Sequence, residues 1–280
     1  MVNPGFKMMD SLIVTTFLVT AVQGHMQLVS PAPFNATNNP HRTTTLGDPY
    51  LQYPYDCCGP YDKWEYPCRG YIDLLGTPDG EPTATWEAGS TQTWSIAGIG
   101  NHFGGSCQVG FSTDKGDTFK VATSYEGNCP RRYDGNEAPG QEFNFTVPAD
   151  IEPGVHVFAW IWYNREQEFN MNCAAVRIAD NSAYGISPRH THHGAPKREL
   201  LSARSETVAW LDRPEMLVAD DGNGCLTPHP TAELKYPNPG PDVVSGDGVY
   251  PLVLPSGNCA GVGHQAYDGS TGEDGHGVPH

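Results

Sequence analysis

The chain has 280 residues, eight cysteines and a formal net charge of −16 at pH 7. So acidic a protein is repelled by nucleic acid and by anionic membrane surfaces, which excludes both as partners, whereas a neutral insoluble polymer meets no such repulsion. An even number of cysteines is typical of disulfides formed in an oxidising compartment. Asn35 and Asn144 begin acceptor sequences for N-glycosylation, a modification of secreted proteins. The composition therefore indicates an exported protein.

The first 24 residues have the features of a secretory signal peptide. Lys7 gives a weakly positive start, and an apolar run covers residues 12–22. That run is too short to span a bilayer and polar sequence follows it, which favours a removable leader over a membrane anchor. Small or modest residues at 22–24 suit cleavage before His25, although a cut one or two residues away stays open on this signal alone. We expect a secreted, extracellular protein.

Short β-prone runs alternate with turn residues from Trp86 to Ile178. The run at 142–147 alternates polar and apolar residues, as in a strand with one wet face. Pro, Gly, Asn and Asp cluster between the runs. The pattern predicts an all-β fold, an immunoglobulin- or fibronectin-III-like antiparallel β-sandwich with long disulfide-pinned loops. The predicted strands cover residues 91–97, 107–111, 118–124, 142–147, 155–163 and 171–178.

The predicted domain organisation has a single core. Its parts are a signal peptide at 1–24, a β-sandwich core at 25–179, a polar linker-like loop at 180–207, a C-terminal segment packing on the core at 208–259, and a disordered tail at 260–280. Within the core, residues 25–85 are rich in Pro, Tyr, Thr and Gly and are predicted to wrap the sandwich as loops. The linker carries His190, His192 and His193, and a solvated linker is favoured over a second metal site there.

A histidine at the start of a chain can hold a metal through both its α-amine and its imidazole. The α-amine has an unperturbed pKa of about 8, so losing its proton to a metal at neutral pH costs little. A second histidine would complete a planar set of three nitrogens, which favours copper, the divalent metal of highest affinity. Zinc prefers tetrahedral sets that include thiolate or carboxylate. His25 is therefore a candidate copper ligand.

The second ligand would be one of the other histidines of the chain. His102 lies in a glycine-rich loop at 98–107 that ends in Cys107. The glycines would expose the ring and allow close backbone approach, and the cysteine would tie the loop to the sandwich. By itself, a histidine in such a loop is more often incidental. His156 lies in an apolar strand and is expected to be a packed core histidine.

Several short sequence motifs follow one another along the chain. Residues 25–34 begin with His-Met and contain a Pro-x-Pro pair, and His102 begins a His-Phe-Gly-Gly-Ser-Cys-Gln stretch. The others are residues 67–71, 158–164, 171–174, 214–225 and 236–241. Together they resemble the fungal lytic polysaccharide monooxygenases of auxiliary-activity family 11, which oxidise chitin. The resemblance runs from His25 to about Pro241 and supports cleavage before His25.

The resemblance implies a mechanism and partners. His25, through its amine and ring, and His102 would bind one copper ion, which would activate oxygen or peroxide to cleave glycosidic bonds in chitin or a related insoluble polysaccharide. Glu168, five positions before Cys173, matches a family glutamate expected to steer the oxidant, although a solvated loop charge is the alternative. An external electron donor would be needed. We expect a monomer with no nucleic-acid or membrane partner.

One position departs from the family pattern. The family has an axial tyrosine three residues before the strand cysteine, where this chain has Asn170. Phe169 is the adjacent aromatic residue, and a loop two residues longer than the family's could slide it into place. If the register is kept from Cys173 backwards, Asn170 faces the copper and Phe169 the opposite side.

The resemblance also implies two disulfides, Cys68 with Cys173 and Cys107 with Cys129. The remaining cysteines are Cys57, Cys58, Cys225 and Cys259, for which three pairings exist. Because Cys57 and Cys58 are adjacent, we expect them to have separate partners.

Two alternatives from other classes stay open. The first is a non-catalytic protein of the same fold that binds or delivers copper, which Asn170 favours. The second is a metal-free carbohydrate-binding module of the cell wall, whose exposed aromatic residues would stack on sugar rings. The candidates for stacking are Tyr50, Tyr53, Tyr55, Tyr61, Trp64 and Tyr66. Packing as loop aromatics over the sandwich is the favoured explanation of these residues.

Overall fold

The computed structural model describes residues 25–57, 63–133, 140–180 and 208–259. The predicted signal peptide, the linker histidines, the predicted tail, Cys58 and Tyr61 lie outside these ranges. Nothing in the described residues tests the predicted domain boundaries, which stay predictions. None of the helices in the described ranges has the length and apolar character needed to cross a bilayer.

The described residues form strands joined by irregular segments and two short 3-10 helices, Cys68–Leu74 and Trp210–Asp212. The strands are β1 Met26–Ser30, β2 Ala84–Trp86, β3 Thr91–Gly98, β4 Ser106–Ser112, β5 Lys120–Glu126, β6 Gln141–Thr146, β7 Gly154–Tyr163, β8 Phe169–Ile178, β9 Cys225–Leu226, β10 Glu233–Leu234, β11 Val243–Ser245, β12 Leu252–Val253 and β13 Ser256–Gly257.

The six predicted strands are confirmed as β3 to β8, with ends that differ by at most two residues. One of the largest differences is at β5, which begins at Lys120 rather than Thr118. The carboxylate of Asp114 accepts hydrogen bonds from the amide of Thr118 at 2.9 Å and from its hydroxyl at 2.6 Å. These bonds prolong the turn, so the strand starts later.

Two sheets pack face to face. The smaller has the order β1-β3-β6, and the larger has the order β11-β5-β4-β7-β8-β2. All the pairs are antiparallel except those of the two edge strands, because β2 runs parallel to β8 and β11 parallel to β5. The predicted immunoglobulin-like β-sandwich with disulfide-pinned loops is confirmed.

The large sheet is buried on both faces. Its inner face packs against the small sheet, where the indole of Trp94 stacks on Phe143 at 4.5 Å and lies 6.5 Å from that of Trp160. Its outer face is covered by the segments before β2 and after β8, with Tyr55, Trp64 and Tyr236 in a second core. This is why β7 and β8 are buried along almost their whole length instead of alternating between buried and exposed residues.

The residues before β3 were predicted as loops, yet they include β1 and β2. Met26 pairs with Gly98 and Leu28 with Ile96, so β1 forms only because β3 is present as a partner. The rest of this segment crosses the outer face irregularly. The amides of Phe34 and Tyr55 donate to the carbonyls of Cys173 and Phe169 in β8, at 2.8 Å and 2.9 Å.

Both disulfides implied by the resemblance, Cys68–Cys173 and Cys107–Cys129, are confirmed. Cys225 pairs with Cys259. The expectation of separate partners for the two adjacent cysteines is therefore wrong, because their only other candidates pair with each other. The physical reason is the β9–β13 ladder, in which Cys225 lies opposite Gly257 and the Cα atoms of Cys225 and Cys259 come within 4.5 Å.

Candidate metal centre

Two histidines far apart in sequence meet at one end of the sandwich. His25 directly precedes β1, and His102 lies in the loop between β3 and β4. Their ring centroids are 5.9 Å apart with an interplanar angle of 76°, and each residue is only 4% exposed. The structure thus brings together the two predicted ligand residues.

The backbone of His25 is held by the strand beside it. Its carbonyl accepts the amide of Ile99 at 2.9 Å. A Cβ atom on Gly98 would lie 1.9 Å from the same carbonyl oxygen, so a side chain there would push β1 away. The predicted close backbone approach in the glycine-rich loop is confirmed, and it serves His25 as well as His102.

The loop carrying His102 has an unusual backbone. His102 and Phe103 both have left-handed φ angles, 47° and 56°, which cost about 1–3 kcal/mol each for residues other than glycine. The side chain of Asn101 compensates by accepting the amide of Phe103 at 2.8 Å. Beneath the loop, Trp162 lies 5.7 Å from the His102 ring and donates to the carbonyl of Gly104 at 3.1 Å.

A buried carboxylate from the C-terminal segment fixes the other side of this loop. Glu233 is 2% exposed, and its Oε1 accepts the amides of Gly105 and Asn128 at 2.9 Å and 3.0 Å. The same oxygen accepts Arg132 Nη1 at 2.6 Å, and Nη1 also donates to the carbonyl of Phe103 at 2.9 Å. The sequence carries no local sign of this role, because Glu233 is an isolated acid far from the loop.

The turn between β7 and β8 places two carboxylates beside His102. Glu166 Oε1 lies 3.3 Å from Nδ1 and Glu168 Oε2 lies 3.3 Å from Nε2, without the alignment of a hydrogen bond. Asn164 shapes the turn, since its Oδ1 accepts the amides of Glu166 at 2.9 Å and of Glu168 at 3.2 Å and its Nδ2 donates to Glu168. The predicted Glu168 is in the site, and Glu166 is an acid that the sequence analysis missed.

These carboxylates change the predicted exposure of His102. The glycines were expected to expose its ring, but the acidic turn covers it and leaves it buried. Burial raises the pKa of Glu168 above its ordinary value, although the neighbouring His102 opposes that rise. The side chain of Glu166 is half exposed.

The pairing of β7 with β8 decides the orientation of Asn170 and Phe169. Asn170 lies opposite Trp162 and shares its face, on the side of the sheet covered by the His102 loop. Phe169 lies opposite Tyr163 and points into the outer core, with its ring 4.7 Å from that of Tyr55. The strand register predicted from Cys173 backwards is confirmed.

Several buried polar atoms in this region have no hydrogen-bond partner within the described part of the chain. They are Nδ1 of His25, both ring nitrogens of His102 and both amide atoms of Asn170. Burial, helped by His102 and opposed by Glu166, lowers the pKa of His25 to about 4. Its imidazole is therefore neutral at neutral pH, the form that binds a metal. A neutral imidazole at His25 and buried ring nitrogens without hydrogen bonds at His25 and His102 fit a metal ion as the missing partner.

Two overlapping sets of ligand atoms are present. One is the pair His25 and His102. The other is His102 with Glu166 and Glu168, whose ligand atoms all lie within 4.8 Å of one another. His156 belongs to neither, because it lies near the start of β7, opposite Val176 and at the other end of the strand from the site. Its Nε2 is 2.7 Å from the carbonyl of Glu152, as expected of a packed histidine.

Fold and site together define a β-sandwich protein with a candidate metal centre at His25 and His102. No protein-family model matches the chain. It is 31% identical over 265 residues to the AA11 family lytic polysaccharide monooxygenase B of Aspergillus fumigatus, a match that covers 90% of this chain and 56% of that protein. It is 31% identical over 264 residues to the AA11 family lytic polysaccharide monooxygenase of Aspergillus oryzae, covering 90% and 55%.

A third relative is matched over most of its own length. The AA11 family lytic polysaccharide monooxygenase A of Aspergillus fumigatus is 32% identical over 222 residues, 79% of this chain and 85% of that protein. The chain therefore belongs to the AA11 family of lytic polysaccharide monooxygenases, although it spans only about half the length of the first two relatives.

Likeness to solved structures is slight. A lytic polysaccharide monooxygenase AA15 from Thermobia domestica in the Cu(I) state gives a TM-score of 0.38 at 15% identity, covering 55% of this chain and 98% of that one. A chitin binding domain from Burkholderia pseudomallei gives 0.32 at 12% identity, covering 56% and 100%. Overlaps this small carry no argument about fold or function.

We expect Glu233→Ala to destabilise the fold strongly. The change leaves the amides of Gly105 and Asn128 without an acceptor and Arg132 without its buried carboxylate. We expect the free energy of unfolding to fall by about 3–5 kcal/mol. The matched control is Asp242→Ala, which removes the half-exposed carboxylate of the buried Arg213 but leaves that arginine its carbonyl acceptor at Ala122 and exposes no buried amide, so the loss should be clearly smaller. Denaturant titration measures both, and equal losses would contradict the buried role of Glu233.

Proposed function

We propose that this chain is a secreted, copper-dependent monooxygenase that oxidatively cleaves glycosidic bonds in chitin or a related insoluble polysaccharide. Membership of the AA11 family supports the class of reaction and implies copper. The observation that carries the proposal is the pair of buried imidazoles of His25 and His102, in which Nδ1 of His25 and both ring nitrogens of His102 have no hydrogen bond within the described residues. Removal of residues 1–24 belongs to the proposal, because it frees the α-amine of His25 as a third nitrogen.

The donor atoms favour copper over other metals. His25, through its amine and ring, and His102 would bind one ion through nitrogen, the set that Cu(II) prefers. The competing set of His102, Glu166 and Glu168 would suit zinc or a harder ion. We favour the nitrogen set because Glu166 is half exposed and has water as an alternative partner, whereas the two imidazoles are buried.

The chemistry that copper supplies when bound is the activation of oxygen or peroxide. The residues of the chain then have separate tasks. Glu168, whose pKa is raised by burial and whose Oε2 accepts a hydrogen bond from Asn164, lies next to His102 and would orient the incoming oxidant by a hydrogen bond. Asn170 offers an unpartnered amide on the same side of the sheet and would orient a water molecule or the oxidant.

The surface beside the site suits a neutral polymer. Phe103 follows His102 and is 39% exposed, and Ile99 is 58% exposed, so both present apolar area on which sugar rings could stack. The formal charge of −16 does not oppose an uncharged polysaccharide. An external electron donor would reduce the metal, and we propose that the chain acts as a monomer.

A second candidate is a copper carrier of the same fold. The observation that favours it is Asn170, an amide where the family pattern has a tyrosine. The metal-free carbohydrate-binding module is less favoured, because Tyr55 and Trp64 are buried in the outer core. Tyr50 and Tyr53 are half-buried and Tyr66 is 38% exposed, while Tyr61 lies outside the described residues.

One experiment tests the main proposal. A chain that begins at His25 is loaded with copper and incubated with β-chitin, a reductant and peroxide, and the products are analysed by mass spectrometry. We expect oxidised chitooligosaccharides from this chain, and far fewer from a chain with one extra residue before His25, because its α-amine is then an amide. Tight copper binding without oxidised sugars would support the carrier instead.

The ligand role of His102 has its own test. His102→Ala removes one of three nitrogens and should weaken Cu(II) binding by a hundredfold or more. His156→Ala is the control, since it removes another buried histidine, whose partner is a backbone carbonyl, and it should lower stability while leaving copper affinity unchanged. Isothermal titration of the two metal-free proteins measures this, and wild-type affinity in His102→Ala would exclude His102 as a ligand.

The role of Asn170 is tested by Asn170→Tyr. Because Asn170 lies outside the nitrogen set, copper affinity should change little, while the Cu(II) spin spectrum and the oxidation rate on β-chitin should change. The larger side chain will also lower stability by about 1–3 kcal/mol. Phe169→Leu is the control, because Phe169 points into the outer core. If only the control changed spectrum and rate, Asn170 would have no part in the site.

A further inference from the structure

Tyr53 lies against the proposed copper ligand. Its ring centroid is 4.2 Å from that of His25 with an interplanar angle of 50°, closer than the 5.9 Å between the two histidines. A ring at this distance obstructs rotation of the imidazole about its Cβ–Cγ bond. The contact therefore limits the directions in which Nδ1 of His25 can point. Tyr53 itself lies in an irregular segment and contributes no ligand atom.

An irregular segment needs an anchor to hold a ring in place, and Arg69 is that anchor. Arg69 is 5% exposed, and its Nη1 and Nη2 donate to the carbonyl of Tyr53 at 3.2 Å and 3.1 Å. Nη2 also donates to the carbonyl of Tyr50 at 2.5 Å. The guanidinium packs over the ring of Trp64 at 4.2 Å, which fixes the plane of the fork.

Arg69 is in turn attached to β8. Its neighbour Cys68 is bonded to Cys173, and its own amide donates to the hydroxyl of Tyr55 at 2.8 Å. The amide of Tyr55 donates to the carbonyl of Phe169 in β8 at 2.9 Å. A continuous path of bonds therefore leads from the central sheet to Arg69, and from there to the backbone of Tyr53.

We propose that Tyr53 is a positioning residue of the metal centre, which fixes the imidazole of His25 through ring packing and is held in place by the fork of Arg69. The inference rests on the proposed function for its effect on copper. It favours arginine at position 69, because a lysine ammonium has no planar pair of donors to place on the single carbonyl of Tyr53 and no flat face to pack on Trp64.

The experiment uses the chain beginning at His25, with the variants Tyr53→Phe, Tyr53→Ala and Arg69→Lys. The first measurement is the chemical shift of the His25 ring protons in the metal-free protein. A neighbouring aromatic ring shifts these signals, so Tyr53→Phe should keep the wild-type shift, Tyr53→Ala should lose it and Arg69→Lys should reduce it.

The second measurement is Cu(II) binding by the same proteins. We expect the nitrogen couplings in the spin spectrum to change in Tyr53→Ala and Arg69→Lys, with roughly tenfold weaker affinity, and to stay near wild type in Tyr53→Phe. Arg213→Lys is the matched control. Arg213 is buried and donates to the carbonyl of Ala122 and to Asp242 at 2.9 Å each, and its replacement should lower stability without moving either signal.

The outcomes separate the inference from the proposed function. Wild-type shifts and spectrum in Tyr53→Ala would overturn the inference, and so would equal changes in Arg213→Lys, which would mean a general loss of stability. Weaker chitin binding in Tyr53→Ala with unmoved His25 signals would assign Tyr53 to sugar stacking instead, which also overturns it. If the wild type bound no copper, the proposed function would fail, while the metal-free shifts would still decide whether Tyr53 fixes His25.

Discussion

The pairing of β1 with β3 is the constraint on which the candidate site depends. β1 begins directly after His25, and its partner β3 ends just before the loop that carries His102. Because Met26 lies opposite Gly98, His25 emerges beside that loop. The absence of a side chain at Gly98 lets the two backbones approach. A strand of five residues therefore sets the distance between two imidazoles from separate parts of the chain.

The site contains groups that a fold optimised for stability alone would avoid. Unpartnered buried polar groups cost about 1–3 kcal/mol each, and the left-handed residues His102 and Phe103 add strain. The surrounding contacts offset this cost. Glu233 satisfies two loop amides and an arginine, and Asn164 satisfies two amides of the acidic turn. Strained or unpartnered residues that are held in place by fully hydrogen-bonded neighbours are typical of functional sites.

The walls of the site come from segments with little regular structure. The wrap before β2 supplies Tyr53 and Arg69, and the C-terminal segment supplies Glu233. Tyr250 of the same segment lies 4.8 Å from the guanidinium carbon of Arg132 and 3.5 Å from that of Arg165. The segment before β2 is attached to β8 by the Cys68–Cys173 disulfide, and the C-terminal segment is attached to the large sheet by the pairing of β11 with β5. The sandwich thus holds the candidate ligands in place, and the irregular segments supply most of the residues around them.

The sequence by itself determined the local features. Short β-prone runs separated by turn residues located β3 to β8, because strand propensity and turn residues are local features of the sequence. The predicted leader cleavage and the glycine-rich loop made His25 and His102 candidates, and the family resemblance supported both and implied two disulfides. Only the tertiary structure decided the rest. β1 exists through its partner, and Glu166, Tyr53 and Glu233 entered the site through contacts between residues far apart in sequence. Such contacts depend on how the segments pack, and no local pattern encodes them.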